Sequence, residues 1–192
     1  MKVVIKVGTQ SILASDGAPC EPVMLHLVEQ IVGLQKAGHH VVLVSSGAVG
    51  YGRKVAQEFG GQLGQSLGEK QVLASLGQHE LMTVYARLFK AHQLMVSQLL
   101  LTKQDFQTRN HYLNIARLLQ VILDHKNIIP IINENDSVAI EELMFTDNDE
   151  LAGLIAAQMN ADKLIILSHI AGVFSGDPSQ ENAKLITTIN PE

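Results

Sequence analysis

Two clusters of carboxylates and amides, Asn133-Glu134-Asn135-Asp136 and Asp147-Asn148-Asp149-Glu150, lie within the stretch PIINENDSVAIEELMFTDNDELAGLIA at residues 130–156. Only 17% of the chain is charged, so this concentration beside apolar runs marks a candidate site. Side chains of these types can recognise an amino group and a carboxylate, with a divalent metal organised nearby. Part of the pattern has a plainer account. Asp147 or Asn148 can cap a helix, with Asp149 and Glu150 favoured at its positive end. That account leaves Asn133 and Asp136 unexplained at the end of a buried strand.

Lys6 lies inside a β-branched strand, just before Gly8. It reads as a cation aimed at phosphate, beside glycine backbone that can approach closely, or equally as a strand-end lysine reaching solvent. The segment SSGAVGYG at 45–52 carries three glycines after a strand. It matches neither G-x-G-x-x-G nor the P-loop, because Arg53 stands where the P-loop lysine would be. Backbone N–H groups at a helix start there can bind an anion, while Ser46 can equally be an N-cap. The segment is not a G-x-S-x-G elbow, which weakens a hydrolase reading. The eight histidines show no H-E-x-x-H spacing, and one cysteine cannot build a Cys/His zinc site. His169 stands apart because it follows the LIILS strand.

These residues need elements to hold them. KVVIKV at 2–7 reads as a strand, short, β-branched and closed by Gly8. Residues 21–38 have apolar positions at helical spacing, with Pro22 near the start and Gly38 at the end. A buried strand follows at 40–47, a loose glycine-marked stretch from Gly60 to Gly68, and a long helical pattern at 69–91. A third strand is expected at 93–101, a helix at 108–126 and a fourth strand at 128–133, where Pro130 needs a place that tolerates a missing N–H. A helix at about 148–159, a strand at 163–168 and a short strand in AKLITTI complete the order. Strands alternating with helices predict an α/β fold, an open, mostly parallel sheet sandwiched by helices on both faces. Ligands of such sheets sit outside the carboxyl ends of the strands. Lys6 to Thr9, Ser45 to Gly47, Asn133 to Asp136 and Ser168-His169 fall at those ends. The helices at 69–91 and 108–126 could supply an apolar face for a homo-oligomer, and core packing competes for the same residues.

A length of 192 residues points to one domain able to bury a sizeable core. Net charge −5 and a pI near 5.9 disfavour a nucleic-acid partner, but leave room for a small anion in a local positive pocket. Cys20 is the only cysteine, so no internal disulfide is expected and a reducing compartment fits. No signal peptide is expected from MKVVIKVG, and no run of about 18 apolar residues suggests a membrane span. The expected address is the cytoplasm.

VIKVGTQSI, VVLVSSGAVGYG, KQVLASLGQHELM, QLLLT, YLNIARLL, PIINENDSVA, FTDNDELAGLIA and ADKLIILSHIAGVFSGDP follow one another from residue 3 to about 178. In this order they resemble the amino acid kinase family, in its branch acting on glutamate. NENDSVA followed by DNDELA separates that branch from aspartokinases and uridylate kinases. The resemblance implies transfer of the ATP γ-phosphoryl to the side-chain carboxylate of L-glutamate, with Mg²⁺, as the first step toward proline. It implies that Lys6 steadies charge on the moving phosphoryl, with Asp149 orienting Lys6 or the metal-bound end. Gly8 and Thr9 would contact phosphate. Ser46, Asp136 and Asn148 would hold glutamate, and Ser168 and His169 would lie by the nucleotide. The family usually has an aspartate where His169 stands. It also continues past position 192, through a glycine-rich loop with a second phosphate-binding lysine. The resemblance therefore implies a kinase domain over 1–192 that lacks the end of the nucleotide half and any RNA-binding-like C-terminal domain. A relative that binds glutamate or a partner chain without transfer is the alternative.

Overall fold

The computed structural model describes residues 1–138, 145, 147–180 and 182–190. Five parallel strands form the central sheet in the order β3-β4-β2-β1-β5. They are β1 (Lys2–Val7), β2 (His40–Ser45), β3 (Met95–Leu101), β4 (Ile128–Glu134) and β5 (Lys163–Leu167). The helices are α1 (Thr9–Ile12), α2 (Glu21–Lys36), α3 (Ala48–Glu58), α4 (Leu67–Lys90), α5 (Arg109–Asp124) and α6 (Asn148–Met159).

Alternation along each buried strand sends its side chains to two cores, one per face. Val3, Ile5 and Val7 of β1 join Val41, Leu43, Ile129 and Ile131 beneath α2 and α4. Val4, Val42, Val44 and Ile132 face the opposite way, beneath α5 and α6. Lys6 shares the parity of Val4 and therefore points to the α6 side. The sheet is open with helices on both faces, as the sequence predicts, but the edge strand β5 is exposed along its whole length. Apolar stripes of α4 and α5, from Leu81 to Phe89 and from Ile115 to Leu123, enter these cores, while Val72 and Leu76 of α4 and Leu113, Leu118 and Val121 of α5 stay exposed.

Several expectations are refined. The segment after Gly47 is a full helix, α3, which glycine content alone disguised. The glycine-marked link to α4 is tied down by Arg53, which donates to the carbonyls of Leu63 and Gly64 at 2.8 and 3.3 Å. Ser66 and Glu69 form a capping box that starts α4 at Leu67. Pro130 sits inside the sheet, in β4. The β3–β4 ladder has seven register pairs, while β2–β4 has two, Leu43↔Ile131 and Val44↔Ile132. The missing N–H is thus accommodated beside a short ladder. The AKLITTI strand is reduced to β7 (Leu185–Ile186). It pairs antiparallel with β6 (Val173–Phe174) outside the main sheet, because Ser175 N–H donates to the Lys184 carbonyl at 2.9 Å and folds the chain back as a hairpin.

After β2 the chain passes to the α4 face, and after β4 it passes to the α6 face. These neighbouring strands therefore flank a topological switch point, where open α/β sheets place their ligands.

Candidate active site

Three connections converge at the carboxyl ends of β1, β2 and β4. The first follows β2. Gly47 takes a left-handed backbone, φ 109°, which glycine adopts without a Cβ penalty. This turn lets α3 begin at Ala48, so that the helix N-terminus faces the switch point. The second follows β4, where Asn133 and Glu134 are buried. The third is the start of α6. Asp147 is its N-cap, accepting from Asp149 N–H at 2.9 Å and Glu150 N–H at 3.1 Å. The capping account of the second acidic cluster is therefore correct for Asp147. It frees Asn148 and Asp149 to point elsewhere.

Asn148 Nδ2 donates to Ser46 Oγ and to Asn133 Oδ1, both at 2.8 Å. Asn133 Nδ2 in turn donates to Gln78 Oε1 at 2.8 Å. This chain of amides ties α4, β4, α6 and the β2 turn together. A connected polar network of this kind fixes side-chain orientation as well as adding stability. Asn148 Oδ1 is buried and has no hydrogen-bond partner. Buried acceptors are rarely left unmet, so this oxygen is available to a donor from a ligand.

Lys6 is 8% exposed. Its Nζ lies 2.5 Å from Asp149 Oδ1. A buried lysine needs such a partner, and the α6 first turn supplies it. A Cβ on Gly8 would stand 3.4 Å from Lys6 Nζ. Gly8 N–H donates to the Leu167 carbonyl at 3.1 Å, which ties the end of β1 to β5 beside the lysine.

A cavity of about 370 Å³ is lined by Thr9, Ser46, Asn133, Glu134, Asp136 and Asn148 together with the α3 N-terminus, while Lys6, Gly8 and Asp149 are not among its lining residues. Burial pushes the Asp136 carboxyl above its ordinary value. Burial likewise raises Glu134, helped by the charges of Asp136 and Glu150 and opposed by the Phe145 N–H it accepts at 2.9 Å. The walls are therefore short of positive charge for these acids, and a cation entering the cavity would relieve both.

Lys6 and Asp149 form an ion pair. Ser46, Asn148, Asp136 and Thr9 share the cavity. Ser168 and His169, at the end of β5, are exposed and do not line it. The sequence alone offered no signal for Gln78, which sits in a regular helical pattern. Residues 139–144 and 146, the arm between the two acidic clusters, lie outside the described residues. Among the described residues, no group of three or more His, Cys, Asp or Glu side chains could hold a metal ion.

Comparison with known proteins places the chain in a family. The chain is 42% identical over 188 residues to a protein named glutamate 5-kinase from Bacteroides thetaiotaomicron, covering 98% of this chain and 51% of that protein. It is 44% identical over 190 residues to a glutamate 5-kinase from Chlorobaculum tepidum, covering 99% and 51%. A protein named glutamate 5-kinase 2 from Bacillus subtilis is 42% identical over 190 residues, with 98% and 50% covered. The chain spans about half the length of the curated relatives it matches. The profile of the amino acid kinase family matches residues 1–192, and with its full length inside that profile the chain belongs to the amino acid kinase family.

Proposed function

We propose that this chain transfers the γ-phosphoryl group of ATP to the side-chain carboxylate of L-glutamate, giving L-glutamyl 5-phosphate and ADP, the first step of proline biosynthesis. The observation that carries the proposal is the buried Lys6–Asp149 pair set beside the Ser46–Asn148–Asn133 chain. The names of the relatives support the choice of acceptor.

Glutamate presents an ammonium and two carboxylates. Asp136 and the unpartnered Asn148 Oδ1 suit the ammonium. Ser46 and the first N–H groups of α3 suit a carboxylate, since a helix start favours anions. The γ-carboxylate is ionised at neutral pH, so no general base is needed. One of its oxygens attacks the γ-phosphorus as the bond to the bridging oxygen breaks, and ADP leaves with that electron pair. Phosphoryl transfer of this kind needs positioning and charge neutralisation. Lys6 supplies the charge, Asp149 keeps its ammonium in place, and Gly8 and Thr9 border the path of the phosphates. Ser168 and His169 are assigned to the nucleotide side. Mg²⁺, when bound, would neutralise phosphate charge. Among the described residues no group of three or more acidic or histidine side chains could hold a metal ion, which fits an ion carried mainly by the nucleotide phosphates. The proposed address is the cytoplasm, supported by the free thiol of Cys20.

A second reading, glutamate binding without transfer, is favoured by the exposure of Ser168 and His169. The deciding experiment incubates the chain with ATP, Mg²⁺, L-glutamate and hydroxylamine, which traps an acyl phosphate as the hydroxamate. Glutamate-dependent hydroxamate and ADP in equal amounts are expected. Glutamate binding by calorimetry without either product would establish the second reading.

Asp136→Asn is a separate check. A carboxyl raised by burial contributes stability that is present below its ordinary value of 3.8 and is lost as pH rises through the raised value. At neutral pH Asp136 therefore costs stability. The asparagine variant is expected to melt at a higher temperature without ligand, and to bind L-glutamate about tenfold or more weakly through loss of a charge-assisted contact. In the unaltered chain, glutamate affinity should fall as pH drops toward the raised Asp136 value. Equal affinity in both proteins would remove Asp136 from the ammonium site.

A further inference from the structure

A second cavity lies at the other end of the same pair of strands. It has a volume of about 590 Å³ and opens where β2 and β4 begin, on the side where their ladder is not continued by register pairs. Lys36 from the end of α2, His39 and His40 from the entry to β2, His92 after α4, and His125 and Lys126 after α5 all line it. No carboxylate does. Six cationic or titratable groups thus meet in one concavity of a protein whose net charge is −5.

The arrangement is held by backbone. His40 Nδ1 is 3.0 Å from the Leu123 carbonyl and His125 Nδ1 is 2.8 Å from the Val121 carbonyl. A carbonyl only accepts, so in both rings Nδ1 carries the hydrogen and Nε2 is left for another partner. Gln35 Nε2 donates to the Lys126 carbonyl at 2.8 Å, tying α2 to the turn before β4. Lys2, the register partner of His40, donates its Nζ to the Met159 carbonyl at 3.0 Å. The Met1 amino nitrogen lies 3.5 Å from His39 Nδ1, and Asp124 accepts from Gln120 at 2.8 Å without lining the cavity. Cations at helix ends complement the helix dipole, which explains one such residue per helix. It does not explain a lined concavity with both lysines and four histidines and no acid.

We propose that this cavity is a binding site for a small multivalent oxyanion, of the phosphate or polycarboxylate type, whose affinity rises as the histidines gain charge. Metal binding is disfavoured, because among the described residues no such histidine group is arranged to hold an ion. Lysine and protonated imidazole donate charge-assisted hydrogen bonds to oxyanions. Histidine changes charge between about pH 5 and 8, so the site strengthens on acidification. The proposal is independent of the assignment of the transfer site.

The test uses inorganic pyrophosphate as the probe and the Lys6→Ala chain as the background, so that the proposed transfer site loses its cation. Histidine ring signals are followed by NMR during titration at about pH 6 and about pH 8. Pyrophosphate itself loses charge on acidification, so any tightening comes from the protein. Selective shifts of His39, His40, His92 and His125 are expected, with binding at least about fivefold tighter at the lower pH, the effect of gaining one or more charged contacts. Lys36→Ala/Lys126→Ala, two exposed substitutions, should keep the melting temperature and weaken binding about tenfold. Equal shifts at His26, His79, His111 and His169, or binding indifferent to the two lysines, would overturn the proposal.

Discussion

Lys6→Ala is expected to lower glutamate-dependent hydroxamate formation by on the order of a thousandfold, the range seen when one preorganised charge is removed from a transition state. The effect should fall on kcat. In the ground state glutamate is held by Ser46, Asn148 and Asp136 on the proposed reading, and Lys6 touches none of these in the hydrogen-bond chain. Its partner is Asp149 at 2.5 Å. The ammonium becomes most useful when negative charge spreads over the transferring phosphoryl, so its loss raises the barrier more than it weakens substrate binding.

Lys6 also packs within β1, so a fall in activity has to be separated from damage to the fold. Lys6→Met keeps most of the aliphatic stem and removes the ammonium. It should match Lys6→Ala in activity and remain closer to the unaltered chain in melting temperature. Calorimetry should give glutamate affinities within about threefold across the three proteins, the signature of a contact made mainly in the transition state. Lys6→Met with near-normal turnover would show that the lysine is structural.

Much of this is legible in the sequence. A β-branched run broken by a lysine and then Gly8 identified a strand whose end carries charge. The period of two along β1 already separates Lys6 from Ile5 and Val7 by face. The resemblance already implied Asp149 as a group that orients Lys6; periodicity alone does not give that pairing, because it depends on where Asp147 starts the helix. The capping and functional accounts of the acidic cluster seemed to compete, yet they divide the residues between them. Asp147 caps, and the next two residues are thereby aimed at the site. Gln78 was hidden for a different reason. Nothing in a helical pattern marks which polar residue faces a buried amide on a strand 55 positions away. The cationic cavity was equally hidden, since its histidines and lysines come from three separate connections and converge only after folding.

Gly77→Ala should be the most damaging single methyl in the chain, and its cause is equally invisible in sequence. A Cβ on Gly77 would lie 1.8 Å from the Ala48 carbonyl oxygen and 2.4 Å from Gly52 N. A Cβ on Gly52 would lie 1.9 Å from the Leu73 carbonyl oxygen. The backbones of α3 and α4 are thus in direct contact, and backbone cannot rotate aside as a side chain can. Overpacking of this kind costs about 3 kcal/mol at the upper end of its usual range, equivalent to a drop of roughly 6–12 °C in melting temperature for a domain of this size. Gly68→Ala on the same helix is the control. Nothing lies within 4 Å of its added Cβ, and replacing glycine in a helix favours the helix by up to about 1 kcal/mol, so it should be neutral or stabilising. The damage should also reach the site. Ala48 is the first residue of α3 after the Ser46-Gly47 turn, and Gln78, beside Gly77, anchors Asn133. Forcing the helices apart pulls the α3 start away from the amide chain that orients Asn148. Gly77→Ala should therefore weaken glutamate binding even at temperatures where the protein is folded. Equal melting temperatures for Gly77→Ala and Gly68→Ala would show that α3 and α4 do not meet as described.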